Sequence, residues 1–397
     1  MTDLPEEVIK GREMMKEIKK GEWPNFLREA EQTKYPIDLY GAALYLKRDL
    51  FTTGGYVSVP GAPTGILMRV TSRPDIGENA NVVRVLLPAG NFVTSDMMDK
   101  FADFADKYGV GMLHAISTGN DLEIPGIPKD RIKEFVVEFR EAGMEIGSTG
   151  DAFRATTSCV GTTLCEYANM DTMGLRDDFY DRFNDYAKYP TFPHKMKLKI
   201  SGCPIDCARA TMKGDVGVIG SWDGAPSINA DMIKKMSAEK LQEIARACPT
   251  GAISSSDHTI TINGENCVQC MKCIRLGEGA LKAADKKKFL IYVGGKLRGK
   301  KGPLSAKLLT KVNTPQEALD LLEKIVEAFA DHAARKERLG DLVFRIGMKG
   351  FLNLIGLQPT SMNVKDLRTN SFYSVTEEER ERIPKEIEQS LQGDKND

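Results

Sequence analysis

The sequence predicts an α+β fold, in which helices cover one face of each sheet and a small cysteine-rich module is inserted into the chain. Two observations predict it. Strand-like and helix-like segments alternate between residues 54 and 146, and a compact block of different composition, at about 237–285, is followed by another strand. Alternating elements of this kind bury their apolar faces in layers. The 397 residues are enough for two or three domains of about 150 residues each.

The N-terminal half begins with a helical segment and continues with a sheet. Residues 5–32 carry apolar positions at helical spacing among Glu and Lys. Between residues 54 and 91, β-branched residues bounded by Gly and Pro predict strands and turns. "TSDMMDKFADFADKYG" follows, with Thr94 or Ser95 as its capping residue and Gly109 after its end. This segment and "PKDRIKEFVVEFREAGM" are both predicted to be helices.

The C-terminal half carries further helix and strand signals. "DDFYDRFNDYAKY" and "SAEKLQEIARACPTGAI" predict helices, and "TITING" predicts a strand that ends in an Asn-Gly turn. "KFLIYVGGK" predicts a strand in which the interrupted domain resumes. A long helical region opens at Thr314, Pro315 and Glu317. The charged C-terminal segment predicts a peripheral helix and a frayed tail.

The composition argues against several classes of function. Lys and Arg total 55 and Asp and Glu total 56, so the formal net charge is −1. No chain-wide field therefore favours nucleic acid or acidic lipid. The N-terminus lacks the apolar segment of a secretory signal, and no run approaches the roughly 18 apolar residues of a membrane helix. We expect a soluble cytoplasmic protein that does not bind nucleic acid.

Eight cysteines fall into two groups of four. They are Cys159, Cys165, Cys203 and Cys207, then Cys248, Cys267, Cys270 and Cys273. Disulfide frameworks belong to oxidising compartments and small domains, so this spacing indicates metal binding. Four thiolates complete the ligand set of a structural zinc ion or of an iron–sulfur cluster. With four histidines in the chain, there is little material for mixed Cys/His zinc sites.

The second group has the spacing of bacterial ferredoxin-type clusters. "CVQCMKC" has two consecutive two-residue gaps, and Cys248 supplies the distant Cys-Pro that completes a cubane. A zinc knuckle or ribbon is the alternative, but an overlapping CxxCxxC is awkward for tetrahedral zinc. The spacing therefore predicts a 4Fe–4S cluster in a module that transfers single electrons.

The first group is less specific by spacing alone, and a structural zinc ion remains an alternative for it. "KMKLKI" precedes its second pair and predicts a strand, which would direct Lys195, Lys197 and Lys199 to one face. The other face would bury the alternating residues His194, Met196, Leu198 and Ile200. A solvated or edge strand is the ordinary place for such lysines. Beside buried cluster ligands, however, three like charges repel one another unless an anion lies among them. We therefore predict an anion site next to a metal cluster.

These residues make the chain similar to the sirohaem sulfite and nitrite reductases. The family signature is CxxxxxC, followed at a distance by CxxxC with K-x-K before it. The chain resembles in particular the alpha subunits of dissimilatory sulfite reductase. The matching segments are "WPNF", "VRVLLPAGNFVTSDMM", "HAISTGND", "RATTSCVGTTLCEYA", "KMKLKISGCPIDC", "DVGVIGSW", "ENCVQCMKCI", "RKERLGD" and "LRTNSFY". The resemblance runs from about Trp23 to Tyr373, and the inserted module is typical of the dissimilatory enzymes.

The resemblance implies the cofactors and their ligands. The first cysteine group would hold a 4Fe–4S cluster and share Cys207 with the sirohaem iron, so each chain would carry one sirohaem and two 4Fe–4S clusters. The basic residues that match the substrate-binding set are Arg84, Arg154, Lys195, Lys197 and Lys199. Further sirohaem contacts are matched by Arg69, Thr118, Lys213 and Arg368. Lys213 stands where the family often has arginine, so the bidentate fork is lost there.

The resemblance also implies ferredoxin-like, sirohaem-reductase-type sheets and a set of domains. These are an N-terminal helical segment at 1–50, a ferredoxin-like half-domain at 51–146, a sirohaem and cluster domain at 147–236 and 286–335, an inserted ferredoxin domain at 237–285, and C-terminal helices with a tail at 336–397. The implied reaction is the six-electron reduction of sulfite to sulfide, or its reverse. Electrons would pass from the ferredoxin cluster to the sirohaem-linked cluster and then to the iron.

The implied partners are a related beta subunit, in a two-plus-two heterotetramer, and a small sulfur-carrier protein. A membrane electron-donor complex would act only indirectly. Three alternatives stay open on sequence alone. The first alternative is a sirohaem nitrite reductase or a smaller sulfite reductase. The second is an electron-transfer or structural subunit with an inactive tetrapyrrole site. The third is a structural zinc protein.

Overall fold

Contacts divide the chain into two compact units. The computed structural model describes residues 6–18, 20, 56–58, 64–69, 81–109, 111–115, 121–298 and 302–360. The first unit comprises Met1–Leu87, Phe92–Gly150 and Ala187–Pro190. The second comprises Pro88–Asn91, Asp151–Tyr186 and Thr191–Asp397. No helix within the described ranges is both long and apolar enough to cross a bilayer.

The first unit is built on a five-stranded antiparallel sheet with the strand order β1-β2-β3-β5-β4. The strands are β1 (Tyr56–Ser58), β2 (Ile66–Arg69), β3 (Asn81–Leu86), β4 (His114–Ala115) and β5 (Asp121–Ile127). The helices are α1 (Glu6–Ile18), α2 (Ser95–Tyr108) and α3 (Ile132–Glu141), with a 3₁₀ turn at Lys129–Arg131. Helix α1 is the described part of the segment predicted at 5–32.

Helices α2 and α3 bury their apolar faces against this sheet. Thr94 caps α2 by accepting a hydrogen bond from its first turn, and Gly109 follows its last residue, as the sequence predicts. Phe101, Phe135 and Phe139 are completely buried and share one core with the inward side chains of β3 and β5. The predicted layer of helices on a sheet is therefore confirmed in this unit.

The second unit contains a mixed five-stranded sheet with the order β14-β13-β8-β7-β6. Its strands are β6 (Thr157–Ser158), β7 (Leu198–Ser201), β8 (Val216–Trp222), β13 (Lys287–Val293) and β14 (Lys307–Val312). Strands β6, β7 and β8 run parallel, and β13 and β14 complete the sheet in antiparallel pairs. The associated helices are α4 (Gly161–Leu164), α5 (Thr172–Lys188), α6 (Ala210–Lys213), α10 (Pro315–His332) and α11 (Leu339–Leu354), with a 3₁₀ turn at Ala89–Asn91.

A small module lies between β8 and β13. It consists of α7 (Ala230–Ile233), α8 (Ala238–Arg246), the hairpin β10 (Ile253–Ser256) and β11 (Thr259–Ile262), and α9 (Lys272–Leu276). Its base is closed by the pairing of β9 (Ser227–Ile228) with β12 (Leu281–Lys282). Leu241, Ile244 and Ile253 form its core, which is continuous with Trp222 and Cys203. The "TITI" strand is confirmed, and so is the first part of the predicted helix. The helix ends at Arg246, however, and Ile253, predicted as its last residue, begins strand β10 after Pro249 and Gly251.

The segment that leads to the second cysteine pair differs from its prediction. Strand β7 begins at Leu198, so Lys195 and Lys197 lie before it rather than on it. His194 was predicted to face the core and does not. Its Nδ1 lies 2.9 Å from Oδ1 of Asp151, and the ring is half-buried. A carboxylate partner at the surface satisfies an imidazole that an apolar core would leave unpaired.

The helical region opened by Thr314 is two helices rather than one. Thr314 caps α10 by accepting a hydrogen bond from the Glu317 backbone N–H, as predicted. The chain leaves the helix after His332 and re-enters one at Leu339. The prediction of a peripheral helix and a tail falls on residues 376–397, outside the described residues.

Candidate metal and anion site

The side chains of the first cysteine group line one cavity of about 270 Å³ in the second unit. Cys159 follows β6, Cys165 follows α4, and Cys203 and Cys207 lie in the loop between β7 and α6. Burial and, to a smaller extent, the other three thiols raise the pKa of the Cys203 thiol to about 11, as expected for close neighbours. In the sequence, 37 residues separate the pair Cys159 and Cys165 from the pair Cys203 and Cys207. The fold brings all four thiols together.

Backbone contacts hold Cys159 in place. Its N–H donates to the Ile200 carbonyl at 3.0 Å, and its carbonyl accepts a hydrogen bond from the Thr172 hydroxyl at 2.6 Å. Its Sγ accepts one from the Gly202 N–H at 3.1 Å. A Cβ atom on residue 202 would lie 3.0 Å from the Ala168 side chain, so glycine permits this close approach.

Asp206 organises the loop that carries Cys203 and Cys207. Its carboxylate accepts hydrogen bonds from the Ser201 hydroxyl (2.8 Å), the Ala210 N–H (2.6 Å), and the N–H and hydroxyl of Thr211 (3.0 and 2.7 Å). Sequence analysis missed this role. The available signal was an aspartate shortly before a helical turn, which is typical of a capping residue.

The first cysteine group fits an iron–sulfur cluster by its donor set, and its four members line one cavity. All four donors are thiols, which is a complete ligand set for such a cluster. Within the described part of the chain, no three His, Cys, Asp or Glu side chains lie close enough together to hold a single metal ion. Cys203 is buried and Cys207 is exposed, so the Cys207 sulfur is accessible to a second group.

The second cysteine group lines a separate, narrow cavity in the small module. It is formed by Cys248, Cys267, Cys270 and Cys273. Burial and, to a smaller extent, its neighbours Cys267 and Cys270 raise the pKa of Cys273 to about 11. Cys248 Sγ accepts a hydrogen bond from the Ala252 N–H at 3.2 Å. Four converging thiols again match the ligand set of a cubane.

Gln269 fixes the loop between Cys267 and Cys273. Its side-chain amide donates to the Trp222 carbonyl at 2.7 Å and accepts a hydrogen bond from the Ser221 hydroxyl at 3.1 Å. Its φ of +56° lies in the left-handed region, which ordinary side chains seldom adopt. The side-chain bonds to the end of β8 hold this turn in place.

Lys199 reaches the wall of the first cysteine cavity. It is 4% exposed, and its Nζ donates to the Thr157 hydroxyl at 2.8 Å. Thr157 itself lines the cavity. Burial and, to a smaller extent, the charges of Lys197 and Lys213 lower the pKa of Lys199 to about 8. The ammonium group is therefore next to the thiol site and close to other cations.

Lys195 lies in a second cationic group. Burial and, to a smaller extent, the charges of Arg154, Arg338 and Lys197 lower its pKa to about 8. Lys195 also lines a cavity of about 510 Å³ in the second unit. The structure thus brings Arg154, Lys195 and Lys197 near one another, and their role as substrate contacts stays a prediction.

Among the remaining predicted contacts, Lys213 lies close enough to Lys199 for its charge to lower the pKa of that lysine. Arg84 lies on β3 of the first unit, where it pairs with Asp121 at 3.4 Å and Glu123 at 3.1 Å. Arg69 is the last residue of β2, and Lys213 is the last residue of α6. Thr118 and Arg368 lie outside the described residues. The proposed roles of all five remain predictions.

Two family models match the chain. The nitrite and sulphite reductase 4Fe-4S domain matches residues 149–361, more than half of the 397 residues. The nitrite/sulfite reductase ferredoxin-like half domain matches residues 76–142. Both matches include segments that the sequence analysis associates with this family.

Curated relatives and a solved structure are similar along most of the chain. The alpha subunit of dissimilatory-type sulfite reductase from Allochromatium vinosum is 30% identical over 388 residues, covering 90% of this chain and 93% of the relative. The alpha subunit from Nitratidesulfovibrio vulgaris is 25% identical, covering 91% and 94%. A crystal structure of dissimilatory sulfite reductase I superposes with a TM-score of 0.76 at 25% identity, covering 92% and 95%.

Subunits named beta of dissimilatory-type sulfite reductase are also relatives, at 25–28% identity, which is consistent with an alpha–beta complex. The matched families imply an iron–sulfur cluster and sirohaem, and the named relatives are oxidoreductases. The chain therefore belongs to the nitrite and sulphite reductase family with a 4Fe-4S domain, and within it to the dissimilatory sulfite reductases, whose alpha subunits it resembles along its length.

Proposed function

We propose that this chain is an alpha-type subunit that takes part in the six-electron conversion of sulfite to sulfide, or in its reverse. The observation that carries the proposal is the position of Lys199. A buried lysine with a lowered pKa is hydrogen-bonded to Thr157 on the wall of a four-cysteine cavity. A structural metal site gains nothing from such a cation, whereas an anion-reducing centre needs one.

The two cysteine groups are proposed to hold different prosthetic groups. Cys159, Cys165, Cys203 and Cys207 would hold a 4Fe–4S cluster, with the exposed Cys207 shared with sirohaem. The small module would hold the second 4Fe–4S cluster, which makes two per chain. When bound, these groups supply the single-electron transfers and the iron at which sulfite is reduced.

The chain's own residues are proposed to bind the anion and to supply protons. Arg154, Lys195 and Lys197 would attract sulfite, because fixed cations lower the free energy of an added negative charge. Lys195 and Lys199 hold a proton at neutral pH but release it more readily than an ordinary lysine, since the pKa of each is about 8. Arginine is unsuited to that task because its pKa is above about 12. The amines would donate protons to the oxygen atoms that leave as water.

The partners and the domain limits are proposed on the same basis. A related beta subunit would complete a two-plus-two heterotetramer, and a small sulfur-carrier protein would accept the product. The pairing of β9 with β12 closes the base of the small module and supports an inserted ferredoxin domain near 237–285. Eight reduced cysteines as cluster ligands support a cytoplasmic location.

The test is a visible absorption spectrum of the protein, purified anaerobically with its native partner, together with iron and acid-labile sulfide contents. The proposal expects a red-region sirohaem band, iron equal to two cubanes plus one haem iron per chain, and sulfite turnover. Cys270→Ser should lower the iron content and keep the sirohaem band, whereas Cys207→Ser should lose that band. Two cubanes without sirohaem would leave an electron-transfer subunit, and zinc in place of iron would contradict the proposal entirely.

A further inference from the structure

A buried ion pair lies behind the lysine segment. The Asp215 side chain has no exposed surface, and Arg338 is 7% exposed. Arg338 donates from Nε to Oδ1 of Asp215 at 2.8 Å and from Nη2 to Oδ2 at 2.6 Å. This two-bond geometry is the strongest form of Arg–carboxylate pairing. A buried pair is nevertheless weak evidence for stability, because both charges lose their hydration. The residues around this ion pair indicate a role other than stabilising the fold.

The same carboxylate holds the backbone that carries the lysines. Oδ2 of Asp215 accepts a hydrogen bond from the Lys197 N–H at 2.9 Å, and the Val216 N–H donates to the Lys197 carbonyl at 3.1 Å. Met196 is fixed from the other side by bonds to residues 152–154. With both neighbouring peptide units fixed, the lysine side chains vary only in their rotamers. Asp215 therefore helps to set the direction in which Lys197 and its neighbour Lys195 point.

Arg338 connects this anchor to a helix. It directly precedes α11, and the Asp341 N–H donates to its carbonyl at 2.9 Å. Asp341 forms a second buried ion pair with Lys296, which is 1% exposed. This second pair ties α11 to the segment after β13 and makes no hydrogen bond to the lysine segment. It is therefore a matched comparison for the first pair.

The pair also acts on Lys195 through its charges. Arg338, with Arg154 and Lys197, lowers the pKa of Lys195, and Asp215 raises it. Other charged groups line the same cavity. His194 and Lys336 both pair with Asp151, Arg345 pairs with Glu337, Asp341 pairs with Lys296, and Arg298 and Arg335 are exposed. The two members of the buried pair therefore push the Lys195 proton equilibrium in opposite directions.

We propose that Asp215 and Arg338 are positioning residues for anion binding, because they fix the backbone from which Lys195 and Lys197 reach the anion. The inference rests on the proposed function, in which those lysines bind sulfite. It assigns a role to two residues that do not line the first cysteine cavity.

The first test replaces each buried pair by apolar residues of similar size. Asp215→Leu with Arg338→Met removes the anchor, keeps the net charge and leaves no buried charge unpaired. Lys296→Met with Asp341→Leu is the matched control. Sulfite affinity of the holoenzyme, measured by titration calorimetry at neutral pH, should fall about tenfold in the first double variant, as for the loss of a hydrogen bond to a charged group. It should fall clearly less in the control, because the Lys296–Asp341 pair makes no hydrogen bond to the lysine segment. Equal affinities in the two double variants would overturn the inference.

The second test uses single variants and the pKa of Lys195, measured by the pH dependence of amine acylation with peptide mass spectrometry. Arg338→Gln should raise this pKa, because a neighbouring cation is lost, and Asp215→Asn should lower it. A merely structural loosening would admit water in both variants and move the pKa upward in both. Upward shifts in both variants would therefore overturn the inference, and the double variants serve if a single variant fails to fold.

Lys195→Met separates this inference from the proposed function. If this variant binds sulfite as the wild-type enzyme does, the substrate role of Lys195 is wrong. If it loses sulfite binding while the Asp215→Leu, Arg338→Met double variant retains wild-type affinity, only the positioning role is wrong.

Discussion

Lys195 and Lys199 differ from surface lysines because they have lost most of their hydration without gaining a carboxylate at hydrogen-bond distance among the described residues. Burial is the largest cause of the lowered pKa in both, and neighbouring cations add to it. A buried ammonium group without a carboxylate partner favours the binding of an anionic ligand. It also favours release of the proton once that ligand has been reduced.

The pKa values predict how anion affinity depends on pH. Both amines are protonated below about pH 8 and neutral above it, so attraction for an anion should be present at neutral pH and lost as the pH rises through 8. Nitrite is a suitable probe because its charge is constant in this range. Its affinity for the holoenzyme should fall about tenfold between about pH 6.5 and 9.5. Lys195→Met should bind nitrite more weakly at neutral pH and show a flatter profile. A wild-type affinity independent of pH would contradict this account.

Asp206 yields a prediction about the ligand loop. Asp206→Ala leaves two hydroxyls and two N–H groups without their acceptor, at a cost of about 1–3 kcal/mol for each one that stays buried. The loop that carries Cys203 and Cys207 should then lose its fixed geometry. Acid-labile sulfide should fall by about half, because the ligands of the small module are unaffected. Ser237→Ala, which removes the cap of α8, is the control and should cost only about 1 kcal/mol. Full sulfide content in Asp206→Ala would show that the loop does not need this anchor.

At the scale of elements, the first cysteine group depends on two segments that can approach each other closely because each has a glycine at the contact. Gly220 lies on β8, and a Cβ atom there would collide with the Gly202 carbonyl oxygen and lie 2.9 Å from the Met170 side chain. Gly202 in turn donates its N–H to Cys159. Strand β8 is buried along its whole length, so it has no room to move away.

Gly220→Ala should therefore destabilise the second unit and disturb the first cysteine group. The collision is with backbone, which cannot rotate aside, so we expect a loss of about 1–3 kcal/mol in the free energy of unfolding. Denaturant unfolding and iron content measure the two effects. Gly350→Ala is the control, because that glycine lies in α11 with only ordinary contacts, and alanine there should raise stability by up to about 1 kcal/mol. Similar losses in both variants would contradict the close-approach argument.

The elements were largely predictable, and the contacts between them were not. Thr94, Ser237 and Thr314 each cap the helix that follows, because capping depends on residues within one turn. The spacing of "CVQCMKC" could predict a cluster for the same reason, because its three cysteines lie within one short segment. The limits of β7 were missed because they depend on strands that pair with it only in the fold. The role of Asp206 was missed although its hydrogen-bond partners lie within five residues of it.

The ion-pair partners of the charged residues were also not predictable, because they lie far away in the sequence. Asp215 and Arg338 are 123 residues apart, and no periodicity relates them. His194 was assigned to the core because a strand alternates its faces, but its partner Asp151 comes from a different segment. Ion pairs between segments that are distant in the sequence can therefore be identified only from the structure.

At the scale of the whole molecule, each unit has its own core. The aromatic core of the first unit includes Phe101, Phe135 and Phe139 and contains no cysteine. The core of the small module includes Cys203 and Cys273 and has Cys248 packed against it. Loss of the metal clusters should therefore affect the two units differently, because metal binding to thiolates contributes free energy only to the part that supplies the ligands.

Removal of iron by a chelator under oxidising conditions should unfold the small module before the first unit. Amide hydrogen exchange followed by mass spectrometry should show loss of protection in β10, β11 and α9, with β3, β5 and α2 still protected. The core of the module includes ligand thiols, since Cys273 is buried and Cys248 and Cys267 are half-buried, and these thiols repel one another when they are ionised without a metal. The peptides of the first unit serve as the internal control in the same sample. Simultaneous loss of protection in both units would show that the chain unfolds as one cooperative body, and retained protection in the module would show that its apolar core suffices without metal.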